Sequence, residues 1–155
     1  MLGTIFGIVD SETFSGEPDM SLQDDPSQYQ FADYVSRNSV SLQERVEELR
    51  NFLVGCGCAS YFTIQNDNEI VFKEGFKENY FHQKFETFMQ HILRSDNFVK
   101  FCTDAPYTWE LKRCIDREYD NYIADNYGSW ETFDNFVRSL NYNTEYVVFD
   151  ALGYK

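Results

Sequence analysis

The side chains able to do chemistry in this chain are of three kinds: four thiols, two imidazoles and 26 carboxylates. The thiols are Cys56, Cys58, Cys102 and Cys114. Structural zinc sites pair their ligands two to four residues apart and close tetrahedrally. Cys102 and Cys114 are too far apart for that and fall on different predicted elements, so no metal site is expected. Gly55-Cys56-Gly57-Cys58 reads instead as a small-residue junction packed close to a helix. Thiol catalysis needs a base within reach of the cysteine and a third group to orient that base. His82 and His91 share one predicted helix, and a 100° step per residue puts them on nearly opposite faces. At most one could serve any given site.

Carboxylates can run a hydrolase when their environments separate their pKa values. With 26 of them in 155 residues, pairs arise by chance, and spacing identifies none as buried. The chain has no glycine-rich phosphate loop, no G-x-S-x-G turn, no H-E-x-x-H and no EF-hand pattern. No catalytic residue, cofactor or metal is therefore assigned. An enzyme with an unrecognised carboxylate or thiol site is the alternative reading, and a structural or assembly subunit whose acidity serves solubility is another.

Charge is the stronger signal. The chain has 13 Lys plus Arg against 26 Asp plus Glu, a formal net charge of −13. Nucleic acid and anionic membrane surfaces repel such a protein, and basic proteins attract it. The acids are also segregated. Residues 1–36 contain seven acids and no base, Arg37 to Thr103 nine acids and eight bases, and Asp104 to Lys155 ten acids and five bases. The stretch from Cys114 to Phe136, CIDREYDNYIADNYGSWETFDNF, holds six acids and six aromatic rings with one arginine.

These features point to a non-enzymatic acidic protein that binds and neutralises a basic partner, such as a nuclease or another nucleic-acid-processing protein. Immunity proteins and anti-defence inhibitors, antirestriction and anti-CRISPR proteins among them, belong to the same physical class. Asp116, Asp120, Asp125, Glu131 and Asp134 would steer the partner and bond its Arg and Lys, and Tyr122, Tyr127 and Trp130 would anchor it. The acidic loop around Glu17, Asp19, Asp24 and Asp25 would widen the field or clasp the partner. Duplex DNA carries one charge per roughly 1.7 Å, hence over about twenty across a domain of this size. A charge of −13 falls short of that as a full DNA mimic by one chain; a homodimer would double it, and a local mimic or a plug for one basic active site needs less.

The elements that must position these groups follow from periodicity. GTIFGIVD is a predicted first strand, opening onto an acidic loop at about residues 10–36 with a helical turn near its end. Ser41 and Glu44 fit a capping box for a helix whose stripe is Leu42, Val46, Leu49 and Leu53, stopped by Gly55. Residues 59–75 alternate, turn at Asn66-Asp67-Asn68 and alternate again, a hairpin. Phe81, Phe85, Phe88, Met89 and Ile92 mark a second amphipathic helix. A third runs through Leu111, Ile115, Tyr119, Tyr122 and Ile123 to Gly128, and a fourth is capped by Ser129, with Trp130, Phe133, Phe136, Val137 and Leu140 inward. TEYVVFDAL closes as a strand. The expectation is a single α+β domain over 1–155: a small, mostly antiparallel sheet of about four strands, with about four helices packed on one face. No signal peptide or membrane span is apparent, and the few cysteines read as reduced thiols, so a cytoplasmic location is expected.

Overall fold

The computed structural model describes residues 3–14, 20–37, 41–93, 97–106, 109 and 120–155. In chain order the elements are β1 (Gly3–Asp10), α1 (Ser11–Phe14), a 3₁₀ turn (Pro26–Gln28), β2 (Val35–Ser36), α2 (Leu42–Gly55), β3 (Phe62–Gln65) and β4 (Glu69–Phe72). They continue with α3 (Phe76–Ile92), α4 (Asn97–Thr103), β5 (Tyr122–Ala124), β6 (Trp130–Thr132), α5 (Phe133–Ser139) and β7 (Glu145–Tyr154). The α+β class is as expected. The sheet is larger, with seven strands ordered β3-β4-β7-β1-β5-β6 and β2 also paired to β7. The described residues hold five α-helices, not four. All pairings are antiparallel except β1 with β5.

β7 is the spine. From Tyr146 to Tyr154 it pairs with β1, apart from Phe149, and its outer edge takes β4 at Glu145–Val147 and β2 at Gly153–Tyr154. Eight of its ten residues are buried, which explains why VVFDALGY is apolar but for Asp150: a strand covered on both faces has no polar side to show. On one face lie α2, α5 and the first turns of α3, with Leu49, Leu53, Phe76, Phe133 and Val137 against Phe6, Phe72 and Val148. On the other face lies the acidic loop. Its Met20, Leu22, Tyr29 and Val35 are buried against Ile5, Val9, Phe149, Leu152 and Tyr154. The segment expected to clasp a partner is thus, from Met20 onward, the second wall of the core.

Local chemistry sets several boundaries. Ser41 accepts from the Glu44 N–H, and the Glu44 carboxylate takes the Ser41 N–H, closing the capping box of α2. Val46, Leu49 and Leu53 are buried as expected, whereas Leu42 is exposed and Gly55 stays helical. The left-handed residue that ends this helix is Gly57, at φ 74°. The β3–β4 hairpin turns at Asn66 and Asp67, both at positive φ, a conformation that Asn and Asp tolerate through local hydrogen bonding.

Two expectations are corrected around residue 122. Tyr122–Ala124 is a strand, because Ile5–Gly7 of β1 offers it a parallel partner. The helical spacing of Tyr122 and Ile123 with the residues before them could not reveal that pairing. Residues 110–119, the rest of that expected helix, lie outside the described residues. Trp130–Thr132 is also a strand, paired with β5, so the next helix begins three residues later. Thr132, not Ser129, caps it by accepting from the Asn135 N–H. Gly128, at φ 89°, belongs to the β5–β6 turn.

Candidate functional site: an acidic cleft at the ends of two parallel strands

β1 and β5 run parallel, so their carboxyl ends open together at one rim of the sheet. Open sheets containing parallel strands commonly bind ligands at such a rim. Here the rim holds a cleft of about 360 Å³. Its floor is apolar, with Ile8, Val9, Ile123, Phe136 and Leu140, and its walls carry Asp10, Asp125 and Glu131 and no Lys, Arg or His. Asp10 ends β1 and accepts from the Thr13 N–H and hydroxyl, at 2.8 and 3.0 Å. Asp125 directly follows β5 and accepts from the N–H groups of Tyr127 and Ser129, both at 2.9 Å, which shapes the turn. Glu131 stands on β6 opposite Ile123, so its side chain shares the face that packs under α5. Tyr127, 70% exposed, stands on the lip.

Burial raises the pKa of Glu131, and Arg138 offsets this only in part. A carboxyl whose folded pKa lies above its unfolded value holds its proton more tightly in the fold. Stability linked to it is therefore full below about pH 4 and falls as pH rises through the folded pKa. Glu131→Gln is expected to raise the melting temperature at pH 7 and to leave it unchanged near pH 4, which thermal denaturation at the two pH values would check.

The acids and rings named from sequence have diverse surroundings. Asp125 and Glu131 line the cleft with Tyr127. Asp134 stands apart, where it takes the Tyr80 hydroxyl at 2.9 Å and Lys84 Nζ at 2.6 Å. Burial, then the Asp134 charge, pushes the Tyr80 phenol well above its ordinary value. Asp120 lies two residues before β5, 3.8 Å from the same Lys84, rather than on a helix. Asp24 is paired with Arg37 at 2.7 Å. Asp25 caps the 3₁₀ turn, and bonds from the Ser27 hydroxyl and N–H hold it below the usual carboxylate range. Tyr122 is not an anchor: it is buried, with Phe31 stacked on it at a centroid distance of 3.6 Å. Trp130 is half-buried edge-on to the same Phe31. Asp116, Glu17 and Asp19 lie outside the described residues.

Asp10 and Thr13 were missed from sequence. The signal was there: a carboxylate ending an apolar strand sits at a sheet rim. Among the described residues no group of three His, Cys, Asp or Glu could hold a metal ion. Burial pushes the Cys56 thiol up to about 11 and raises Cys58, the reverse of what a thiolate nucleophile needs. No described helix is long and apolar enough to cross a membrane. No protein-family model, curated protein or solved structure matches the chain.

Proposed function

We propose that the protein is an acidic, non-enzymatic binding protein that docks on and neutralises a basic protein, of the kind that processes nucleic acid. The cleft at the ends of β1 and β5 is the centre of its binding surface. One observation carries this reading: the two acid-rich parts of the chain meet there, Asp10 from the first and Asp125 and Glu131 from the last, with no cation in the lining. At Asp24 and Asp134, by contrast, an ion pair neutralises the acid locally. An apolar floor below carboxylates fits a lysine or arginine side chain, whose methylene stem packs on Ile8, Ile123 and Leu140 while its head meets Asp10 and Glu131. Tyr127 adds amphipathic contact area at the lip.

The test is capture of partners from the host, followed by association kinetics at rising salt. A basic partner is expected, bound more slowly as salt rises. Asp10→Asn combined with Glu131→Gln is expected to slow association roughly 3–10-fold at low salt, since steering by a focused field gains at least that much. A partner bound equally well by the double variant and indifferent to salt would overturn the assignment. A carboxylate enzyme is the second reading, favoured by the raised pKa of Glu131 beside other acids. It predicts loss of a turnover, not of an association rate, in Glu131→Gln.

A further inference from the structure

The three carboxylates that line the cleft of about 360 Å³ do not offer their oxygens alike. Thr13 straddles Asp10: its N–H donates to Oδ1 at 2.8 Å and its hydroxyl to Oδ2 at 3.0 Å. A two-oxygen edge of this kind is what a guanidinium fork takes. Asp125 receives the Tyr127 and Ser129 N–H groups on one oxygen, Oδ1, at 2.9 Å each. Both lone pairs of that oxygen are then engaged, and Oδ2 remains as a single acceptor. Glu131, partly buried on β6, meets the same space from the sheet. Beneath the acids the floor is apolar, with Ile8, Ile123 and Leu140. Acid above and hydrocarbon below ask for a ligand with a cationic head on an aliphatic stem.

We infer that the cleft is a lysine pocket: it admits a lysine side chain of the partner protein and discriminates against arginine. Lysine selection rests on the cleft being the centre of a surface for a basic protein, as proposed above, and names the side chain that enters. Arginine is the commoner choice at interfaces because its planar fork meets a carboxylate through two parallel bonds. Here Thr13 holds the fork edge of Asp10, and Asp125 has one oxygen filled. Only Glu131 can be forked, and the other guanidinium donors, fixed in one plane, cannot turn to single oxygens on separate walls. A lysine ammonium has three donors that rotate about its stem and point three ways. One bond each to Asp10, Asp125 Oδ2 and Glu131 satisfies all three, while the methylenes lie along the apolar floor. The lining holds no Lys, Arg or His to compete for these oxygens or repel the entering charge. Burial raises the pKa of Glu131, and an ammonium beside it restores the charged form that desolvation disfavours.

Amide NMR titrations of the full chain with Nα-acetyl-lysine, Nα-acetyl-arginine and Nα-acetyl-norleucine methylamides test the selection, since these probes differ only in the side chain. The lysine probe is expected to shift the amides of Asp10, Thr13, Tyr127, Ser129 and Glu131 with a Kd on the order of millimolar. The arginine probe is expected to bind at least about five-fold more weakly, the factor for one hydrogen bond left unmade, and the norleucine probe to leave these amides unmoved. Arginine or norleucine bound as tightly as lysine would overturn the inference, as would a cleft unmoved by the lysine probe at about 100 mM. Thr13→Val, at an exposed position, frees Asp10 Oδ2 and is expected to bring the two Kd values within about two-fold. An unchanged ratio would overturn the part given to the occupied edge of Asp10. Lysine selection and the proposed function fail separately. A captured basic partner whose arginine occupies the cleft overturns only the selection, whereas a lysine-selective cleft in a chain that captures no basic partner overturns only the function.

Discussion

Replacing Asp150 by alanine is expected to lower the unfolding free energy by about 3–5 kcal/mol, the range for breaking a buried ion pair by removing one partner. Asp150 is wholly buried in β7. Its carboxylate takes Arg37 Nη2 at 2.6 Å and Nε at 3.1 Å, and Arg45 Nη1 stands 3.2 Å away. It also accepts from the Leu22 N–H at 2.9 Å. One side chain thus ties the loop that covers the second sheet face, helix α2 and the central strand to each other. The position matters because, among the described residues, the outer edge of β7 has no strand partner between its β4 and β2 pairings. There Arg45 donates to the Phe149 carbonyl, and Asn68 pairs with Val148 instead. Removing the carboxylate leaves Arg37 with Asp24 and the Leu22 carbonyl and Arg45 with the Phe149 carbonyl, so two mostly buried guanidinium groups lose the charge that faces them. Urea unfolding of Asp150→Ala, Arg37→Ala and the double variant forms a cycle. The double variant is expected to lose much less than the sum of the singles. A loss under about 1 kcal/mol for Asp150→Ala would show that the clamp contributes little.

That clamp was not legible in the sequence, for a physical reason. Two of its partners, Arg37 and Leu22, lie 113 and 128 residues from Asp150, and no local rule singles out one acid among 26. What local rules govern came through. The capping box at Ser41, the Asn66–Asp67 turn, the first strand and the last are set by neighbours a few residues away. β5 and β6 depart from the expectation because each is three residues long: β5 exists through pairing with β1, more than a hundred residues earlier, and β6 through pairing with β5. Over Tyr119, Tyr122 and Ile123 a helical period and a short buried strand look alike. α3 shows the converse: its period was read correctly and its direction was not. Periodicity reports that Phe81, Phe85 and Met89 share a face, and only the tertiary structure shows that the core takes Phe76 and Tyr80 instead. The same limit applied to the site. Asp125, Tyr127 and Glu131 were found through local crowding of acids and rings, whereas Asp10 joins them only through the parallel register of β1 and β5.

Gly7→Ala is expected to cost about 1–3 kcal/mol, as overpacking does in a well-filled core. Gly7 pairs with Asp150 while Ile8 pairs with Val148, so β7 carries one extra residue, Phe149, at that point. The ring of this bulge residue lies over Gly7, where a Cβ would meet its Cε2 and Cζ atoms at 2.8 Å. Phe149 is 4% exposed and packed against the covering loop, so it has little room to retreat. Phe149→Leu should relieve the contact: the variant carrying both changes is expected to lose less than the two singles added together, in denaturant titrations of all three. Strict additivity would instead mean that alanine at position 7 is disfavoured for reasons unrelated to the ring. The bulge has a second consequence. It shifts the phase of β1 against β7 just before Ile8, Val9 and Asp10, the three residues that β1 contributes to the cleft. A strained Gly7→Ala protein is therefore expected to show amide chemical-shift changes that extend along β1 to Asp10 and, through Ala124, to Asp125. Changes confined to the neighbourhood of Phe149 would mean that the cleft is positioned independently of the bulge.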